Sequence, residues 1–360
     1  MNKMRIKAVL VFCFVAFTIK AEAQTNILQR YTAAYKQLDE RLKSPYMGLF
    51  KEAVFLTENT FWGDTLSRAD FEGEIAILTV MANGYIQANP QKDYKLSDSL
   101  NFSKNYALYK LLADTITIQL PDGRIATTLP YKYDFFDFFG REAWSNMFVS
   151  KLFKTHKGNC HSLPYLYKIL ADELEATCWL GLAPNHIYIK NRCRKTGWYN
   201  TELTSGTFPI DAWVTASGYI PLQAIQNGIY MDTLSNQQAV ALCVLDLAKG
   251  YEFQTKNYYD GFILKCCDLV LQYHPLNVQA MLLKAETLKR NYQREKEAKN
   301  EEAANSYKQM EALYTKLFEL GYREMPESMY LQWLKSIEQE KAKYQNKAIT
   351  NDTPVKKKAF

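Results

Sequence analysis

The spacing of apolar side chains divides the chain into stretches of different period. From Ile27 to about Asn105, Leu28, Tyr31, Tyr35, Leu38 and Leu42 recur every three or four residues, and Ile75, Leu78, Met81, Ala82 and Tyr85 share a face. That period is helical, and Ser44-Pro45, Gly63-Asp64 and Asn89-Pro90 break it into segments. Thr115 to Leu120 and Ile125 to Leu129 alternate around Pro121-Asp122-Gly123-Arg124, which predicts a hairpin. The dense aromatic run Tyr131 through Phe139 reads as core packing. Leu163, Leu166, Tyr167, Leu170 and Leu174 then fall on one face of a helix predicted from about Cys160 to Glu175. Cys178 to Leu182 and Ile187 to Lys190 are strand-like, with Ala183-Pro184-Asn185 as a bend, and polar residues Asn191 to Gly197 turn the chain into Trp198 to Leu203. Beyond Ser235 the pattern is helical almost throughout: Gln237 to Lys249, Tyr258 to Tyr273, Asn277 to Lys299, Asn305 to Leu320 and Ser328 to Gln345.

A length of 360 residues with 48% apolar and 14% aromatic side chains supports a sizeable core and, at about 150 residues per domain, two or three domains. Disorder, collagen and coiled coil are thereby excluded for the bulk of the chain. The amino terminus has the pattern of a cleaved secretory signal: Lys3, Arg5 and Lys7, the 12-residue apolar run Ala8 to Ile19, then Ala21-Glu22-Ala23. A spanning helix needs about 20 apolar residues, so no transmembrane segment is expected in the mature chain. Cleavage after Ala23 is preferred to lipid attachment at Cys13. It removes four Lys/Arg and one Glu, lowering the net charge from +6 to +3 and leaving six cysteines. So small a charge does not suggest a nucleic-acid partner. The adjacent Cys266 and Cys267 read as core thiols, and no disulfide pairing is assigned. No cofactor motif is present: there is no phosphate-binding glycine loop, paired metal-ligand spacing or haem-type cysteine pair. The expected organisation is a signal peptide (1–23), a mostly helical region (24–130), an α+β core (131–235), a helical region (236–345) and a disordered polar tail (346–360) with the basic run Lys356-Lys357-Lys358.

Chemistry concentrates in the core. Gly158 and Asn159 suit a turn before the helix, and Pro164 is tolerated in its first turn. Cys160 thus stands at a helix amino terminus, where free amides and the helix dipole stabilise a thiolate. If Lys190 and Trp198 close the next connection, antiparallel partners have numbers summing to 388 and His186 lies opposite Glu202 on one face. A one-residue slip would separate them. Cysteine, histidine and carboxylate in that order meet the needs of nucleophilic acyl transfer: a thiolate, a proton carrier and a group orienting the carrier. His156, Cys160 and His161 form a weaker alternative as metal ligands. His274 reads as structural.

These residues resemble the transglutaminase-like superfamily. Gly158-Asn159-Cys160, the helix with Ser162 and Leu166-Tyr167, the His186-Ile187-Tyr188-Ile189 strand, and Gly197-Trp198 followed by Glu202 carry the likeness. Ser162-Leu163-Pro164-Tyr165-Leu166-Tyr167 and Pro184-Asn185-His186 are similar to a bacterial subgroup followed by tetratricopeptide repeats. In keeping with this, His274-Pro275-Leu276-Asn277-Val278-Gln279-Ala280, with Leu283-Lys284-Ala285 and Leu288, resembles a junction between two such repeats. Gly321 to Pro326 offers a second junction, but Pro275 and Pro326 are 51 residues apart rather than about 34, so long helices or an insertion are required, and a plain helical bundle is the alternative.

The resemblance implies a papain-like α+β core with the cysteine helix on an antiparallel sheet. It makes Cys160 the nucleophile, His186 the general base and then acid, and Glu202 the orienting carboxylate. Aspartate is usual at the third place, so Asp211 is a reserve candidate. The family's oxyanion stabiliser combines the nucleophile's amide with an upstream group, for which Trp144 or Asn146 is available. The implied function is acyl transfer or hydrolysis at a peptide or carboxamide bond by a periplasmic or extracellular protein. The alternative is a non-catalytic scaffold whose carboxy-terminal helices hold a protein or peptide partner.

Overall fold

A computed structural model of the chain describes residues 24–43, 49–90, 94–119 and 123–350. The signal segment with Cys13, the hairpin turn residues Pro121 and Asp122, and Lys356 to Lys358 lie outside the described residues. The fold is mixed α+β, and no described helix is long and apolar enough to cross a membrane.

Helix α1 spans residues 24–42, followed by α2 (Leu49–Phe61), α3 (Arg68–Ala88) and α4 (Ser99–Ala113). Ser67 caps α3 by accepting from the amide of Asp70, the residue type and spacing that satisfy a free helix-start donor. Strands β1 (Ile116–Gln119) and β2 (Ile125–Thr128) form the expected antiparallel hairpin. Next come β3 (Lys132–Tyr133), a 3-10 turn over Trp144–Met147, α5 (Val149–Thr155), β4 (Lys157–Gly158) and α6 (Ser162–Glu173). Strands β5 (Trp179–Ala183), β6 (His186–Cys193) and β7 (Gly197–Thr201) form an antiparallel sheet in that order. Short helices α7 (Asp211–Ser217) and α8 (Leu222–Gln226) lead to the long helices α9 (Asn236–Thr255), α10 (Phe262–Tyr273), α11 (Val278–Glu297), α12 (Ala303–Glu319) and α13 (Glu327–Tyr344).

Helix α9 opens on a reciprocal Ser235–Gln238 capping box, and Asn277 caps α11 at 2.8 Å from the Ala280 amide. Neighbouring long helices pack pairwise, α9 on α10, α10 on α11 and α11 on α12. The lengths of α11 and α12, 20 and 17 residues, account for the wide Pro275 to Pro326 spacing.

The described residues end on α14 (Lys347–Thr350), which departs from the expectation of a polar tail from residue 346. The Asn346 amide donates to the Phe208 carbonyl at 2.7 Å, and Ile349 is buried in an aromatic cluster with Tyr94, Tyr106 and Phe208. Residues 346–350 therefore belong to the packed structure.

Helix α6 is the hub. Its residues from Ser162 to Ala171 are all buried, and it packs against α3, α4 and α5 and against β5 and β6. Each buried leucine or isoleucine contributes about 1.5–3 kcal/mol relative to exposure, which fixes the helix within its surroundings. One continuous apolar cluster joins Tyr31 of α1, Phe50 of α2, Leu166 of α6, Ile189 of β6, Val244 of α9 and Leu283 of α11. It runs through all three expected regions between residues 24 and 345. The aromatic run from Tyr131 is split: Tyr131 and Phe138 are buried, whereas Phe135 and Phe136 are exposed because β3 pairs at once with β4 and leaves the following loop outside.

Candidate functional site

The turn before α6 is built by two residues the sequence singles out. A Cβ on Gly158 would meet Ser162 Oγ at 2.6 Å and Leu152 Cδ1 at 2.7 Å, so only glycine permits this approach of β4 to α6. Asn159 Oδ1 accepts from the amides of His161 at 2.9 Å and Ser162 at 3.1 Å, while Ser162 Oγ accepts from the Asn159 amide. The asparagine therefore caps the helix, and Cys160 is held in the turn two residues before α6 begins. No hydrogen bond from the Cys160 amide is found among the described residues, leaving that donor free.

His186 reaches the same place from the sheet. Pro184 and Asn185 make a two-residue turn between β5 and β6, with Asn185 at φ +55°, a left-handed conformation that asparagine tolerates well. Ala183 pairs with His186 across this turn. His186 Nε2 lies 2.6 Å from Glu202 Oε2, and both side chains are almost fully buried. Glu202 Oε1 accepts from the amide and hydroxyl of Thr204 at 2.9 and 2.7 Å, and its backbone exchanges two hydrogen bonds with Thr207. The carboxylate is thus fixed on both oxygens.

The register that achieves this differs from the expected one. Ile189 pairs with Thr201 and Lys190 with Asn200, so partner numbers sum to 390, not 388. Strand β6 continues through Asn191, Arg192 and Cys193, which the sequence reading assigned to the turn. Asn191 is buried and bonded to Thr201 Oγ1 at 2.9 Å, and Lys190 is buried with Nζ on the Met231 carbonyl at 2.6 Å. Polar residues whose partners lie on neighbouring segments extend the strand. A slip of two keeps even-numbered residues on one face, so Glu202 reaches His186 diagonally.

Cys160, His186 and Glu202 are therefore brought together. Asp211 and Asn146 are engaged elsewhere. Asp211 accepts from Asn200 Nδ2 at 2.7 Å at the start of α7. Asn146 Nδ2 is engaged by the carbonyl and carboxylate of Asp137 at 3.2 and 3.0 Å; Trp144, by contrast, lines the cavity that Cys160 and His186 share, and its buried indole nitrogen has no hydrogen-bond partner among the described residues. Among the described residues no group of three or more His, Cys, Asp or Glu side chains is arranged to hold a metal ion. His156 instead stacks on Tyr131, and both ring nitrogens of His161 are held by Met147 and Asp246. His274 is buried beside Asn277, and burial lowers its pKa to about 4. The six described cysteines are buried free thiols.

Two phenols near Cys160 were not legible in the sequence. Tyr330, from α13, places its hydroxyl 3.2 Å from Cys160 Sγ and 3.4 Å from His186 Nδ1. Tyr133 is positioned by the pairing of β3 with Gly158, and its buried hydroxyl lies beside that of Tyr330. Burial and, next, the charge of Cys160 raise its pKa. Nothing in local spacing predicts either contact.

The electrostatics follow from the geometry. Burial would raise the Cys160 pKa, but interaction with His186 and then with the Tyr330 hydroxyl outweighs it and leaves the thiol below its ordinary value. Burial would pull His186 down, but the Glu202 carboxylate and Cys160 lift it to about 10. Glu202 is held below the usual carboxylate value because the His186 charge overrides desolvation. The arrangement thus favours thiolate, imidazolium and carboxylate at neutral pH. Cys160 and His186 line a cavity of about 670 Å³ whose walls include Phe139, Leu182, Tyr230 and Met325, a size suited to part of a peptide or another small molecule. No family model, curated protein or solved structure matches the chain.

Proposed function

We propose that the chain is an exported cysteine enzyme of the transglutaminase-like kind, acting on a peptide or carboxamide bond through Cys160, His186 and Glu202. The observation that carries this reading is the division of the His186 ring: Nε2 is fixed 2.6 Å from Glu202, while Nδ1 lies 3.4 Å from the Tyr330 hydroxyl, which is itself 3.2 Å from the Cys160 sulfur, and the imidazole and thiol shift each other's ionisation. An imidazole with one nitrogen anchored and the other facing a nucleophile can take the thiol proton and return it to a leaving group.

In this mechanism Cys160 Sγ attacks the carbonyl carbon, and the oxyanion is met by the free Cys160 amide. His186 Nδ1 gives its proton to the departing amine. Water, deprotonated by the same nitrogen, then attacks the acyl-enzyme and frees the acid. Hydrolysis is preferred to cross-linking, in which an amine would replace water. The fold implied is a papain-like core, supported by the packing of α6 on antiparallel β5 and β6. Export to the periplasm or beyond rests on the Lys3 to Ala23 pattern.

A second reading has its own support: Cys160 and His186 are each less than a tenth exposed and lie beneath α13, as they would in a scaffold that binds a protein partner without turning it over. Iodoacetamide labelling of Cys160 against pH separates the two. A labelling pKa well below the ~8.5 of a free thiol, restored toward that value by His186→Ala, supports the enzyme. An ordinary pKa insensitive to His186 removes its basis.

A further inference from the structure

We propose that Tyr330 of α13 is a further catalytic residue: its hydroxyl donates the hydrogen bond that holds Cys160 Sγ as a thiolate, so the carboxy-terminal helical region completes the active site. The inference rests on the thiol-enzyme reading above.

Tyr330 is completely buried, and its hydroxyl oxygen lies 3.2 Å from Cys160 Sγ and 3.4 Å from His186 Nδ1. A buried hydroxyl has one proton to donate, and leaving it unpaired is costly. Ionisation decides where that proton points. When the Cys160 proton moves to His186 Nδ1, both imidazole nitrogens carry hydrogen, with Nε2–H directed at Glu202. Nδ1 can then only donate, and the thiolate can only accept. The Tyr330 proton therefore falls to sulfur, while its oxygen can accept from Nδ1. Tyr330 keeps its own proton throughout. Burial and the nearby Cys160 charge both raise its pKa, so it remains a donor across the range in which the thiolate works.

The phenol is placed by the residues that build the rest of the site. Its ring lies 5.3 Å from Phe138, 5.2 Å from Phe139 and 5.3 Å from Trp333. Asn159 Nδ2 donates to the Phe138 carbonyl at 2.9 Å, linking this aromatic packet to the turn that carries Cys160. Trp333 meets the His186 ring edge-on at 4.8 Å and is itself anchored through Nε1 on Ser217 Oγ at 2.8 Å. The start of α13 is tied down by Arg141 on Glu327 at 2.5 Å, and the preceding Met325 carbonyl accepts from Asn185 Nδ2 at 3.2 Å.

Position distinguishes a donor from a plug. The cavity is lined by Cys160 and His186 but not by Tyr330 or Trp333. Neither side chain therefore forms part of the cavity wall beside the reactive residues.

The test is Tyr330→Phe in the full mature chain, which retains the ring and removes one oxygen. Two readouts are followed against pH: the ultraviolet absorption of the thiolate, which reports ionisation alone, and iodoacetamide labelling of Cys160, which also reports access. The expected result is a thiolate pKa higher by about one to two units, the equivalent of a hydrogen bond to a charged group, with slower labelling below that pKa. An unchanged titration overturns the proposal, and faster labelling with an unchanged titration makes Tyr330 a cover. Trp333→Phe disturbs the same packet but keeps the hydroxyl. A shift in it as large as in Tyr330→Phe would assign the effect to packing and overturn the donor role. Failure of the underlying enzyme reading is separately visible, as an ordinary thiol pKa in the unsubstituted protein that His186→Ala does not move.

Discussion

Two histidine–carboxylate pairs lie along the same cavity, one on each side of the turn that starts α6, and they are built for opposite ends. His186 and Glu202 meet at 2.6 Å, and the other ring nitrogen faces the Tyr330 hydroxyl, which also meets the Cys160 sulfur. His161 and Asp246 meet at 2.9 Å, but the other nitrogen is spent 2.9 Å from the Met147 carbonyl. A carbonyl and a carboxylate can only accept, so both nitrogens of His161 carry hydrogen. Burial opposes that charge, and Asp246 more than restores it, so the His161 pKa is raised. Asp246 is held in turn by the Tyr165 hydroxyl at 2.9 Å. One imidazole keeps a nitrogen toward the Tyr330 hydroxyl; the other has both nitrogens engaged and ties the start of α6 to α9 and the 3-10 turn. A buried histidine beside a carboxylate is therefore not by itself a proton carrier, and what the second nitrogen meets decides its use.

The sharpest way to break this contrast is to remove each imidazole in turn. His186→Ala is expected to slow Cys160 labelling at pH 6 by about a hundredfold, through a rise of about two units in the thiol pKa. His161→Gln should change it by no more than about threefold, since its charge acts on Cys160 only at a distance. Equal effects would erase the distinction. In stability the ranking reverses: Asp246→Ala leaves the His161 cation buried without its partner and should cost about 3 kcal/mol in a denaturant titration, whereas a loss under 1 kcal/mol would show that His161 is no structural tie.

A pH profile of stability sharpens the comparison further. His186, raised to about 10 in the folded chain, retains a proton that the unfolded chain loses above about 6.5. Its contribution is complete below that value and disappears as pH rises toward 10. The Cys160 thiol, depressed in the folded chain, has the opposite sign until the unfolded thiol also ionises near about 8.5. The two oppose one another up to about 8.5, so stability should fall most steeply above about 8.5. In Cys160→Ala the decline should start near 6.5 instead. Identical profiles for the two proteins would mean that the thiol and imidazole do not share a proton. The smallest effect concerns the turn beneath both histidines. Gly158→Ala forces β4 away from Ser162 and Leu152 and should cost about 1–3 kcal/mol by overpacking. Unaltered stability and labelling would show that the turn has more freedom than its contacts imply.

Between Gly158 and Glu202 the site was largely legible because its signals are local. The leucine spacing of α6, the Asn159 turn and the Pro184-Asn185 bend are each set by residues a few positions apart. The strand register was read two residues off because Asn191 and Arg192 look like turn residues until the partner of Asn191, Thr201, is known. The parity of the side chains survived the error, and with it the meeting of Glu202 with His186. Asn146 is taken up by Asp137, a turn contact that nearby sequence does not display, whereas Trp144 lines the cavity with its indole nitrogen unpartnered among the described residues. Tyr330 was unreadable for the same reason: α13 has ordinary helical spacing, and nothing in it marks one tyrosine as facing a thiol.

The contact between Tyr330 and Cys160 spans 170 positions of sequence. A chain that emerges from its amino terminus therefore presents the thiol long before it presents the hydroxyl. Until α13 arrives, Cys160 lacks that donor and its ionisation is less favoured, so full nucleophilicity is delayed to the last steps of folding. The sulfur is thereby kept least reactive while the chain is incomplete, when neighbouring chains and oxidants have the freest access to it.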